Sequence, residues 1–173
     1  MFRARQAGRT DMRGLSLFHA IRSAILALFF MAALPALAEE QMRFDKEPLL
    51  IQTAAGKVLH FTVEIASTPD QRARGLMFRK TMADDAGMIF DFDEPRRVTM
   101  WMENTILPLD MLFADDTGTI RHIKENAKPY SRDIIDSMGE VKYVVELNAG
   151  VVAKLGIKSG DRIVSATTTS KAK

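Results

Sequence analysis

The chain predicts a mainly β domain, a small β-sandwich or barrel-like body with two short helices, preceded by a signal peptide. Three observations carry that prediction. From Leu49 onward, apolar residues recur at every second position in several short segments, the period of a strand with one buried face. Turn-forming residues separate these segments at short intervals. Only two stretches carry helix boundary signals, and neither is long.

The segment from Ser23 to Ala38 reads SAILALFFMAALPALA, with Arg22 before it and Ala36-Leu37-Ala38 closing it. A basic start, an apolar run and an A-x-A site follow in the order of a secretory signal. The run is shorter than the roughly 20 residues a membrane-spanning helix needs, and Pro35 interrupts its end. An uncleaved anchor is the competing reading. Cleavage is expected between Ala38 and Glu39, and translation from Met12 instead of Met1 would give a basic end of more usual length. Residues 1–38 are thus expected to be a signal peptide, 39–48 a mobile lead-in, 49–166 one mostly-β domain and 167–173 a disordered tail. The predicted location is the periplasm or the medium.

The net charge of +2 is a property of the leader, which holds five arginines and one acid, Asp11. Without it, 24 − 5 = 19 basic and 22 − 1 = 21 acidic residues leave about −2. Such a domain has no electrostatic footprint for nucleic acid. The chain contains no cysteine, so neither a lipid anchor at the cut nor a disulfide is available. The core alone must hold the domain, and at this size it can.

Leu49-Leu50-Ile51-Gln52 and Lys57 to Ile65 flank Ala54-Ala55-Gly56, a hairpin signal. In the second arm Leu59, Phe61, Val63 and Ile65 alternate with His60, Thr62 and Glu64. Thr68-Pro69-Asp70-Gln71 is a capping box with proline at the first helical position, and predicts a helix running to about Arg79 despite Gly75. Strands are predicted at 87–92, 98–102, 109–114, 120–125 and 141–147, with Asp115-Asp116-Thr117-Gly118 as a tight turn and 129–137 as loop. A second helix is predicted over 149–155, stopped by Gly156, and a last strand over 162–164.

Five motifs stand out in order: Arg74-Gly75-Leu76-Met77-Phe78-Arg79, Gly87-Met88-Ile89-Phe90, Trp101-Met102-Glu103-Asn104-Thr105, Pro108-Leu109-Asp110, and Tyr143 through Gly150. On these motifs, the stretch from Asp70 to Gly160 resembles a family of small bacterial and archaeal proteins catalogued as domain of unknown function 192. The resemblance implies a β-rich, sandwich-like fold that is often exported. It implies no activity.

Trp101 to Thr105 is the most specific local pattern. On a strand, Val98, Met100 and Met102 share one face and read as core, while Thr99, Trp101 and Glu103 share the other. A lone tryptophan beside a carboxylate and an amide suits a sugar or peptide surface. The competing reading has Trp101 plugging the end of the core and Asn104 pinning a turn. Asp110 and Glu146 sit among apolar neighbours, a setting that suits a general acid and base. Equally, they could be structural partners for Arg74 and Arg79, since a buried carboxylate needs a cation or several donors. His60 and His122 lack metal-ligand spacing. Met77, Met88, Met100, Met102 and Met111 could bind Cu(I) but are expected to be spread singly as core filler. No nucleophile elbow or phosphate loop is present.

The expected function is a non-catalytic exported binding or interaction module. Its depression would lie near Trp101, Glu103, Asn104 and Thr105, bordered by Arg74 and Asp110, with Arg79 and Glu146 as further candidates. The expected partner is a glycan or envelope component. Nucleic acid is not expected, no cofactor or metal is expected, and the membrane enters only through export. The alternatives are a hydrolase using Asp110 and Glu146, and methionine-based Cu(I) binding.

Overall fold

Seven strands and three short helices make up residues 42–170, the part of the chain described by a computed structural model. The predicted signal peptide lies outside the described residues. Among the described residues no helix is long and apolar enough to cross a membrane.

In chain order the elements are β1 (Lys46–Gln52), β2 (Val58–Ala66), α1 (Pro69–Arg74), β3 (Ala86–Met100), β4 (Leu109–Ala114), β5 (Ile120–Ala127), β6 (Ile135–Asn148), α2 (Val151–Leu155), β7 (Arg162–Ser165) and α3 (Ala166–Thr169). They form one sheet ordered β5-β4-β6-β3-β2-β1-β7. All neighbours are antiparallel except β2 and β3, which run parallel because α1 carries the chain across between them. The sheet curls until its edges meet. Thr119, just before β5, bridges Arg162 on β7, and the Ile163 amide donates to the Gly118 carbonyl at 2.8 Å. Of the two predicted architectures, the barrel-like one is found.

The curled sheet has an inner and an outer apolar layer. Leu49, Ile51, Val63, Ile89, Leu112 and Val145 pack inside with α2 residues Val151 and Val152. Met88, Phe90, Met111, Phe113 and Val144 pack outside, under Leu76 and Met102. Strands β4 and β6 are covered on both faces, so all six residues of β4 and all of Val141–Leu147 are buried. Their charged members, Asp110, Lys142 and Glu146, are therefore buried too.

The predicted hairpin forms between β1 and β2, with the Gly56 amide donating to the Thr53 carbonyl at 2.9 Å. The capping box also forms. Thr68 Oγ1 accepts from the Gln71 amide at 3.2 Å, and Gln71 Oε1 accepts from the Thr68 amide at 3.1 Å.

Several boundaries move. The first helix stops at Arg74, not near Arg79, because Gly75 takes φ +46° and its amide closes the last turn on the Gln71 carbonyl. The strands predicted at 87–92 and 98–102 are one 15-residue strand, irregular between Asp91 and Arg96. Its partner β6 begins at Ile135, inside the expected 129–137 loop. At the front, Arg43 and Asp45 offer carbonyls to Gln71 Nε2 and the Ile65 amide, so the predicted mobile lead-in joins the fold from there. At the end, residues expected in a disordered tail form a third helix, capped reciprocally by Ser165 and Thr168.

Candidate functional site

Two sequence motifs meet at one point of the outer face. After α1 the chain turns sharply, and the Phe78 amide donates to the Asn104 carbonyl at 2.9 Å. That bond ties Arg74–Phe78 to the loop Trp101–Thr105. The loop is itself closed by the Thr105 amide on the Met102 carbonyl at 3.1 Å. Met102 drops into the core with no exposure and anchors it.

Between the two segments lies a pocket of about 310 Å³. One wall is α1 and the turn after it, with Arg72, Arg74 and Met77. The other is β3 and the start of the loop, with Arg96, Met100, Trp101 and Thr105, while Phe90 and Phe92 add ring surface. Glu146 of β6 also lines it.

Glu146 is the unusual member. In register it sits between Met88 of β3 and Met111 of β4, on an interior strand of the sheet. It is 4% exposed, and its carboxyl makes no hydrogen bond with any described residue. Burial pushes the carboxyl up to about 8, so at neutral pH it carries a proton and can donate it in a hydrogen bond.

The guanidiniums around it are placed differently. Arg72 donates to the Ser67 and Asp91 carbonyls, pairs with Asp93 at 3.3 Å and lies 5.6 Å from the Phe92 ring. Arg96 lies 5.0 Å from the same ring, and Arg74 lies 4.7 Å from the Phe78 ring. Trp101 is 48% exposed at the pocket, so it does not plug the core.

Of the eight candidate residues, four line this pocket: Arg74, Trp101, Thr105 and Glu146. The other four do not. Glu103 pairs with Arg132 at 2.6 Å, on the exposed side of the loop. Asn104 takes a left-handed turn (φ 57°), and its side-chain amide stands 4.0 Å from Met77 Sδ. Arg79 forms a two-pronged pair with Glu64, with Nη1 to Oε1 at 2.7 Å. Asp110 is fully buried and accepts two backbone amides, from Asn126 and Val152, each at 2.9 Å.

These placements correct two expectations. Arg74 and Arg79 are not the partners of Asp110 and Glu146, because Asp110 is satisfied by amides and Arg79 by Glu64. Nor do the two carboxylates form a pair. Asp110 is in register with Leu147 of the inner layer, while Glu146 is in register with Met111 of the outer layer. Neighbouring register positions face opposite sides of a sheet. A two-carboxylate mechanism has no common cleft to work in.

The methionines are also less scattered than expected. Met88, Met102 and Met111 share the outer layer, Met82 and Met100 pack against it, and Met77 lines the pocket. Among the described residues no three or more His, Cys, Asp or Glu side chains group as a metal site would need.

Sequence reasoning missed Arg72, Phe90, Phe92 and Arg96. Phe90, Phe92 and Arg96 share one continuous strand, β3. Reading it as two strands, 87–92 and 98–102, left Arg96 in the gap and hid that it shares a cavity with Phe90 and Phe92.

A family model described as Uncharacterized ACR, domain of unknown function 192, matches residues 50–165. A UPF0127 protein from Thermococcus sibiricus is 28% identical over 115 residues, spanning 66% of this chain and 73% of that protein. Among crystal structures, a chain from Sinorhizobium meliloti 1021 with the provisional description of a transcription regulator is 54% identical. It covers 73% of this chain and 98% of its own, with a TM-score of 0.72. A protein of unknown function from Novosphingobium aromaticivorans is 38% identical over 68% of this chain and 83% of its own, with a TM-score of 0.65.

Proposed function

The chain belongs to the domain of unknown function 192 family, and on that premise we propose that it is a non-catalytic binding module acting outside the cytoplasm. Its ligand is a small glycan or another envelope component, seated in the pocket between α1 and the Trp101–Thr105 loop. One observation carries the reading: an exposed indole and a buried, unpartnered carboxyl line the same cavity. An indole face offers apolar area to a ring, and a protonated carboxyl offers a directional donor. Small-molecule sites combine mostly apolar walls with a few such polar groups.

The external location rests on the signal-like leader, Ser23 to Ala38, and is checked by sequencing the N-terminus of the native polypeptide. A start at Glu39 supports it; an intact cytosolic product sinks it. The provisional description of the Sinorhizobium chain is not carried over, because the residues after the leader balance 19 bases against 21 acids.

Trp101 is the sole tryptophan, so its emission reports on the pocket directly. Titration with a panel of envelope fragments, including neutral oligosaccharides, should shift that emission saturably for at least one member. If the whole panel leaves it unchanged, the reading is dropped. The gathering of methionines on the outer layer favours one second reading, Cu(I) binding by thioethers. Competition against a Cu(I) chelator tests it, and failure to withdraw one equivalent of the ion ends it.

A further inference from the structure

Positive charge dominates this pocket. Three arginines line it against a single acid, Glu146, which stands protonated at neutral pH. Arg72 is already occupied by two carbonyls and Asp93. Arg74 and Arg96 form no ion pair with any described acid and are held only over the Phe78 and Phe92 rings. A guanidinium stacked on a ring keeps its N–H edge free, and that edge fits a carboxylate or phosphate with two parallel bonds.

We infer that the pocket selects a small organic anion with an apolar body. Its carboxylate or phosphate head is held at Arg74 and Arg96, and its body lies against Phe90, Phe92 and Trp101. The inference rests on the reading of this pocket as the ligand site and deepens it by giving the ligand a charge. Glu146 adds a donor instead of a repelling charge, which suits an anionic guest. The volume of about 310 Å³ lies at the lower end of small-molecule sites, roughly 300–1,000 Å³, and fits one ring or a short chain with its head.

The test is calorimetric titration of the purified protein at low ionic strength with hydrocinnamate, its neutral amide hydrocinnamamide, and benzyl phosphate. At least one of the two anions should bind 10-fold or more tightly than the amide, a difference of about 1.4 kcal/mol. Tighter binding of benzyl phosphate alone assigns the head as phosphate; tighter binding of hydrocinnamate alone assigns it as carboxylate. The preference should disappear in the Arg74→Gln, Arg96→Gln double variant while the amide affinity stays unchanged. If the amide binds wild-type protein as tightly as both anions, the inference is overturned and the pocket reading survives. It is overturned alone, too, if none of the three binds while neutral oligosaccharides shift Trp101 emission. If no probe of either kind binds, both fall.

Discussion

Asp110 on β4 and Glu146 on β6 lie one register step apart and face opposite sides of the same sheet. Both are buried carboxyls, yet their surroundings differ completely. Asp110 receives two amide hydrogen bonds, whereas Glu146 receives none from the described residues. The same chemical group is a structural clamp at one position and an unpartnered carboxyl on a pocket wall at the other.

Asp110→Ala should therefore destabilise strongly. It strips the acceptor from the Asn126 and Val152 amides, one at the end of β5 and one in the first turn of α2. Losing the buried Val152 bond and the part-buried Asn126 bond costs about 2–4 kcal/mol together. Urea denaturation should show the midpoint fall. Ligand affinity measured well below that midpoint should not change, since Asp110 does not line the pocket.

Glu146→Gln should act in the opposite sense, and depend on pH. A carboxyl raised to about 8 from 4.5 binds its proton more tightly in the native state. Its favourable contribution is complete below the unfolded value and is lost as the pH climbs through the window from about 4.5 to about 8. The charged groups sharing its pocket are Arg72 and Arg74 on α1 and Arg96 on β3; Met88 and Met111 flank it. Wild-type stability should fall across that window by a few kcal/mol on this account. Glu146→Gln should flatten the fall and be the more stable protein at the alkaline end. Chemical denaturation at several pH values decides; a parallel decline in both proteins refutes the assignment.

Trp101→Ala separates binding from folding. At 48% exposure the indole contributes little to the core, so the denaturation midpoint should move by no more than about 1 kcal/mol equivalent. Affinity for any pocket ligand should drop by about 10-fold or more, as removal of an aromatic anchor does. Arg79→Met should behave in reverse. It breaks the pair with Glu64, lowering stability by roughly 1–3 kcal/mol, and leaves affinity alone.

Gly118→Ala tests the closure of the sheet. Gly118 sits at φ +79°, and an added Cβ would stand 2.3 Å from the Ile163 carbonyl oxygen. Both the left-handed backbone and the close approach oppose a side chain. A loss of about 2–4 kcal/mol is expected, with amide exchange in β7 accelerating before that in β4 and β6. Unchanged exchange in β7 would mean that the edges are not coupled.

The local features were readable because their causes are local. Thr68 and Gln71 cap each other across three residues, Ala54-Ala55-Gly56 turns on itself, and the segments 109–114 and 141–147 read as strands from their own apolar residues. Period, capping and turn chemistry act within a few positions, and so did the recognition of a β body with a family resemblance. What they could not decide was which faces meet. Whether Gly75 ends a helix depends on how tightly it packs on Phe90, 15 residues away, whose ring would stand 3.2 Å from any added Cβ. That Asp110 and Glu146 part company, that Arg79 goes to Glu64, and that Arg74 and Arg96 share a cavity with Trp101 all follow from strand register and curl. Those are long-range pairings, set by the summed burial of the whole sheet, and no short window of residues contains them.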